Sequence, residues 1–245
     1  MGRAVAIGVL DLLFPHRCPA CDALSAGGPG FCPRCAAALV PVPATACPIC
    51  GAPQGGDGPA FPCPECRSEP PPFAAAASAW LFGGPLAEAL GRFKAGRVPE
   101  FPTIAAPSLA AVARGVLATG DPAARRGVLA VAVPPDPGRL ARRGFDPGTL
   151  VAAATARRLD LPFRAGLLVS APRPRPQRTL SRAERRRALA GVFSAAPWAP
   201  RVLAGRTVLL LDDVRTTGST TAACAALLRR TGAAVVRVAT LALVE

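Results

Sequence analysis

Two adjacent carboxylates, Asp212 and Asp213, follow an apolar run (Val208 to Leu211) and precede a hydroxyl-rich turn of Thr216, Thr217, Gly218, Ser219 and Thr220. The apolar run suits a strand buried on both faces of a parallel sheet. The carboxylates then fall at the carboxyl end of that strand, where open α/β sheets bind ligands. An alanine-rich helical stretch follows the turn. Backbone N–H groups and the helix dipole favour an anion there, and glycine permits close approach. Acids above and an anion cradle below imply a ligand with both hydroxyls and phosphate, such as a phosphorylated ribose. Asp-Asp alone reads equally as a buried strand before a capped helix, but the whole run is far more specific.

Positive charge gathers just ahead of this run. Between Arg139 and Arg187 thirteen arginines stand against Asp146, Asp160 and Glu184, a surplus of ten in a chain of formal net charge +14. A basic stretch beside a phosphate site implies an anionic ligand, pyrophosphate or nucleic acid, with a solvated arginine surface as the plain alternative. Lys94 is the sole lysine. Heavy use of alanine, arginine, proline and glycine explains arginine over lysine, but not the excess over acids. Aromatic residues make up 5% and tyrosine is absent, which argues against a stacking platform for bases. Nucleic-acid binding here would be phosphate contact and would weaken steeply with salt.

Eight cysteines form four C-x-x-C knuckles: Cys18/Cys21, Cys32/Cys35, Cys47/Cys50 and Cys63/Cys66. Each knuckle turns two sulfurs to one side, giving half of a tetrahedral zinc site. The spacing suits two small structural zinc ribbons built from sequential pairs, with interleaved pairing as the alternative. Disulfides are the main rival and fit poorly in a chain expected to be cytoplasmic. Eight thiolates on two zinc ions would leave a net charge of about +10. Prolines and glycines around the knuckles make turns rather than a core, so the metal must supply much of the module's stability. Cys224 reads as a small core residue, and His16 is not needed as a ligand.

These groups need a scaffold. At 245 residues the chain accommodates one substantial α/β domain, residues 73–245, and a smaller module, residues 1–69 with an amphipathic N-terminal helix, joined by the stiff Pro70–Pro72 spacer. No uninterrupted apolar run reaches membrane-spanning length, and the N-terminus lacks the marks of a signal peptide. The patterning predicts strands over Ala74–Phe82, Val128–Val133, Leu167–Val169, Thr207–Leu211 and Val235–Leu241. It predicts helices from about Leu86 to Gly96, Pro107 to Leu117, Thr149 to Leu159 and Thr220 to Arg230. Pro135 to Pro147 reads as a turn-rich basic loop, and Ser181 with Glu184 as a capping box. Strands alternating with helices imply a parallel sheet.

The Val208–Thr220 run resembles the 5-phosphoribosyl 1-diphosphate (PRPP) binding motif of type I phosphoribosyltransferases. The resemblance implies that Asp212 and Asp213, as catalytic-site acids, lie against the ribose hydroxyls, while Thr216, Thr217, Gly218, Ser219 and Thr220 hold the 5′-phosphate. Mg²⁺ would accompany PRPP, and Arg139, Arg142 and Arg143 are the candidates for pyrophosphate contacts. An aromatic residue is commonest in that family at the position of Arg215.

The order of motifs over nearly the whole chain resembles the ComF family of phosphoribosyltransferase-like proteins. After the cysteine pairs come V-A-V-P (Val131–Pro134), R-R-G-F-D-P (Arg142–Pro147), Gln177 through Arg185, and Val208–Thr220. Asp146-Pro147 replaces the family's Asn-Gln, removing two amides, and Pro174 replaces a threonine. The resemblance implies a type I phosphoribosyltransferase-like parallel sheet flanked by helices, with a small N-terminal double zinc ribbon. It implies an enzyme or enzyme-like protein that binds PRPP with Mg²⁺ and acts in natural competence and DNA uptake, with Pro172–Glu184 closing as a lid. The alternative is a non-catalytic accessory that binds single-stranded DNA, or partners a competence helicase, through the ribbon and the arginine-rich loops.

Overall fold

The computed structural model describes residues 15–25, 28–56, 58–119, 127–172, 189 and 191–245. The N-terminal helix, the Ser181–Glu184 capping box, Gln177–Arg185 and nearly all of the Pro172–Glu184 lid lie outside the described residues.

Five parallel strands form the main sheet in the order β1 (Ala75–Leu81), β7 (Val235–Leu243), β6 (Thr207–Arg215), β2 (Leu129–Ala132) and β3 (Phe163–Arg164). Central β6 shows why its apolar run is continuous. Leu209 and Leu211 pack into one core with α3 (Gly84–Lys94), α4 (Phe101–Ala118) and α6 (Pro147–Arg158). Val208 and Leu210 point the other way, into a second core with α7 (Ala199–Leu203) and α8 (Ser219–Arg230). Side chains alternate along a strand, so covering both faces demands apolar residues at every position. Cys224 on α8 is fully buried in the second core, as a small apolar residue would be.

Three elements depart from the sequence expectations. Helix α4 begins at Phe101, not Pro107, and carries Pro107 in its interior. Phe101 is fully buried and stacks on Phe93 at 5.2 Å between centroids, and this anchor outweighs the donor that Pro107 lacks. Helix α4 is also long and apolar enough to cross a membrane by length and composition, but Phe101, Ala105, Leu109, Ala113 and Val116 spend their apolar surface in the first core. The supposed basic loop contains a helix, α5 (Pro137–Arg143). Asp136 Oδ1 accepts from the Arg139 N–H at 2.9 Å, and Gly144 ends the helix at φ 77°. The strand expected near Leu167 is β4 (Leu168–Ser170), which leaves the main sheet to pair antiparallel with β5 (Phe193–Ala195).

The cysteine module contains two one-turn helices, α1 (Pro33–Ala37) and α2 (Pro64–Ser68), and lies along the outer edge of β1. Pro41 bridges Trp80, Leu81 N–H donates to Val40 O at 2.8 Å, and Ala76 N–H donates to Ile49 O at 2.7 Å. Gly51 makes the second approach possible. It has φ +66°, and a Cβ there would stand 2.6 Å from Ala76 O. The module therefore has support beyond its metal sites, because its cysteines join both cores.

Candidate functional site

The acid pair lies where β6 outruns β2. The β2 ladder ends with Ala132 opposite Leu211, while β6 continues beside β7, with Asp212 opposite Thr240 and Arg215 opposite Leu243. Asp212 and Asp213 thus stand past the end of one neighbouring strand, in the crevice that open α/β sheets use for ligands. Each carboxylate also turns back on the chain: Asp212 Oδ1 accepts from the Asp213 N–H and Asp213 Oδ1 from the Val214 N–H, both at 2.9 Å.

Two other elements close on the pair. Lys94, the last residue of α3, places Nζ 2.6 Å from Asp213 Oδ2. Gly148, in the first turn of α6, is so near that a Cβ there would meet Asp212 Oδ1 at 3.4 Å and Asp213 Oδ1 at 3.9 Å. Asp146 fixes that turn by capping α6, its Oδ2 accepting from the Thr149 N–H at 2.7 Å. The substitution of Asp-Pro for Asn-Gln therefore builds a good helix start, a side-chain cap followed by proline.

These surroundings divide the two acids. Burial, and then the charge of Asp213, push the Asp212 carboxyl well above the ordinary range. Burial also pushes Asp213 up, but the Lys94 ammonium overrides it and holds Asp213 below its ordinary value. Asp212 is thus the more readily protonated of the two and Asp213 the more firmly ionised.

The hydroxyl-rich turn runs directly from Arg215 into α8. Gly218 is the N-cap at φ 75°, a left-handed conformation that suits glycine, and it has no side chain to cap the first-turn donors. Thr217 Oγ1 and Ser219 Oγ lie 3.0 Å apart, and Thr221 Oγ1 donates to Gly218 O at 2.9 Å, bracing the turn. Arg215 is buried beneath it, with Cδ and Nη1 within 3.9 Å of where a Gly218 Cβ would be. Positive charge, hydroxyls and a helix N-terminus converge on one spot, the chemistry of a phosphate cradle.

Arg139, Arg142 and Arg143 all lie exposed on α5, which follows β2. Parallel β2 and β6 end on the same side of the sheet, so the arginines share the acid pair's edge, although among the described residues none forms an ion pair with it. Lys94 and Gly148 were missed in the sequence. The one lysine among 29 basic residues was the available signal for the first.

The cysteines assemble sequentially. Cys18, Cys21, Cys32 and Cys35 form one group, and Cys47, Cys50, Cys63 and Cys66 the other, each with all sulfurs within 4.8 Å of one another. Cys21 and Cys32 sulfurs are 3.8 Å apart, and Cys50 and Cys63 sulfurs 3.7 Å. Tetrahedral zinc at Zn–S of about 2.3 Å requires about 3.8 Å between sulfurs, so both tetrads fit the ion. Burial pushes every shifted thiol up, but in Cys18 and Cys47 N–H donors from neighbouring knuckle residues pull the net value down, to about 6 and about 7. Burial and the adjacent sulfurs raise Cys35 to about 12. Four thiolates need a cation among them. The second tetrad also adjoins the cradle, because Cys50, Ala52 and Pro53 line a cleft of about 410 Å³ with Arg215, Thr216 and Thr217.

Sheet, acid pair, cradle and paired tetrads define a phosphoribosyltransferase-type domain joined to a double zinc ribbon. Family models match accordingly: a double zinc ribbon domain over residues 9–67 and a phosphoribosyl transferase domain over residues 146–244. The chain belongs to the ComF family. It is 31% identical over 229 residues to the DNA utilization protein YhgH of Escherichia coli O157:H7, covering 93% of this chain and 96% of that protein. The protein of the same name from Salmonella typhi is 33% identical over 210 residues, covering 85% of this chain and 88% of its own. The crystal structure of TT1426 from Thermus thermophilus aligns with 57% of this chain and 72% of its own, at 20% identity and a TM-score of 0.33.

Proposed function

We propose that this protein binds PRPP, with Mg²⁺ carried on the ligand's pyrophosphate, and that it serves DNA uptake in the cytoplasm. The observation that carries the reading is the continuity of β6, acid pair, Thr216–Thr220 turn and α8, which sets carboxyls for ribose hydroxyls one short loop away from a cradle for the 5′-phosphate. Asp212 and Asp213 take the hydroxyls, and Thr216, Thr217, Gly218, Ser219 and Thr220 take the phosphate. Arg139, Arg142 and Arg143 offer positive charge to the pyrophosphate. Pentosyl transfer at such a site needs no protein nucleophile. The bond from the anomeric carbon to pyrophosphate breaks, the electron pair leaves with pyrophosphate, and an acceptor nitrogen supplies the new bond. The protein contributes position and charge.

The test is a thermal shift with the full chain. PRPP with Mg²⁺ should raise the melting temperature, and the double variant Asp212→Asn, Asp213→Asn should abolish the rise. No rise in the parent protein rejects the reading.

A second reading, a single-stranded DNA-binding accessory, draws on the exposed arginines of α5 and on the name of the relatives, DNA utilization protein. It predicts affinity for single strands at low salt that falls sharply toward physiological salt. Absence of low-salt affinity removes it.

A further inference from the structure

Helix α3 ends on the acid pair and is held there from both sides. One residue before Lys94, Phe93 is fully buried and stacks on Phe101 at 5.2 Å and on Phe145 at 5.7 Å. Phe145 stands immediately before the Asp146 cap of α6, so this aromatic cluster ties the end of α3 to the turn that carries Gly148. Two residues before Lys94, Arg92 Nη2 contacts Asp22 Oδ1 of the first cysteine half at 2.6 Å. Lys94 is thus delivered to Asp213 by a fixed backbone, although its own four-carbon stem is flexible.

The ligand poses an electrostatic problem. PRPP carries phosphate and pyrophosphate, and a bare acid pair would repel it; like charges brought together in a partly buried site are strongly unfavourable. Divalent metal is one remedy. The structure contains another, because the Lys94 ammonium neutralises Asp213 at contact distance, with side-chain exposures of 28% and 14%. An ammonium has three donors. Among the described residues Asp213 accepts one, which leaves donors for ligand oxygens.

We infer that Lys94 is the resident counter-ion of the acid pair, a positioning and specificity-determining residue that lets a multiply charged pentose phosphate dock against Asp212 and Asp213 without divalent metal. The inference rests on the phosphoribose reading above. It also orders the ligands. Lys94 should matter more for PRPP than for ribose 5-phosphate, whose reducing end carries no charge.

The test measures affinity for PRPP and ribose 5-phosphate by calorimetry on the zinc-loaded full chain, in magnesium-free buffer and again with magnesium. A chelator is avoided because it would attack the cysteine sites. Lys94→Met should weaken metal-free PRPP binding by about tenfold or more, ribose 5-phosphate binding less, and added Mg²⁺ should recover much of the loss. Lys94→Arg keeps the charge and should retain metal-free binding. Unchanged affinity in Lys94→Met overturns the inference. So does an equal loss with and without Mg²⁺, which is the mark of a structural defect. If the parent protein binds neither sugar phosphate under any condition, the phosphoribose reading itself fails and takes this inference with it.

Discussion

Removing one acid at a time should give opposite results, although the two residues are neighbours. Asp213→Asn breaks a 2.6 Å ion pair whose partners are mostly shielded from solvent. A contact of that length is worth about 6 kcal/mol gross at an effective dielectric of 20. Desolvation and partial exposure reduce this to about 1–3 kcal/mol net. For a chain of this size the melting temperature should fall by about 2–6 °C. Asp212→Asn should be neutral or stabilising at pH 7, because it replaces a carboxyl that burial and Asp213 already push toward its protonated form.

The pH dependence separates the two further. The native state binds the Asp212 proton more tightly than the unfolded chain does. Wild-type stability should therefore decline relative to Asp212→Asn as pH rises above the ordinary carboxylate range toward the raised native value. Asp213 has the opposite sign, since its native value is depressed. Its contribution is present above the unfolded value and disappears as pH falls through the native one, in the acid range. Urea denaturation across this range for both variants and for Lys94→Met is the assay. Equal destabilisation by both acid variants, or a rise in wild-type stability relative to Asp212→Asn over the upper window, refutes the division of labour.

Metal analysis should give about two zinc ions per chain, and a stoichiometry near zero would leave the tetrads without their occupant. Gly51→Ala should cost about 2 kcal/mol or more, because it forces a left-handed residue into the Ala76 carbonyl; a wild-type melting temperature would show that this approach does not hold the ribbon to β1. Replacing Arg139, Arg142 and Arg143 with alanine should flatten the salt dependence of any single-strand binding by up to about three counterions, and an unchanged slope would move the DNA contact elsewhere.

The site's strand was legible because both faces of β6 are covered, which writes an unbroken apolar run that ends at the acids. Its length was not. Residues after Leu211 stay in the ladder through pairing with distant β7, and no local pattern records that partner. The Asp-Pro-Gly start and glycine stop of α5 carried a capping signature that the density of arginines and prolines concealed. Two-residue β3 and three-residue β5 are too short to show a period. The type of Lys94 was visible as the sole lysine, but its position at the site was not. That position comes from a helix packed through Leu86, Leu90 and Phe93, whose apolar spacing was readable while its docking direction was not.

Because the outer margin of the main sheet is sealed by a segment organised around two thiolate tetrads, the protein's solubility becomes answerable to zinc supply. Ion loss would loosen Pro41 and Ile49 from their seats and bare the backbone of β1, a surface on which other chains can add strands. Starvation for the metal, or oxidation of the sulfurs, would then reach both this margin and the cleft that Cys50 shares with Thr216 and Thr217.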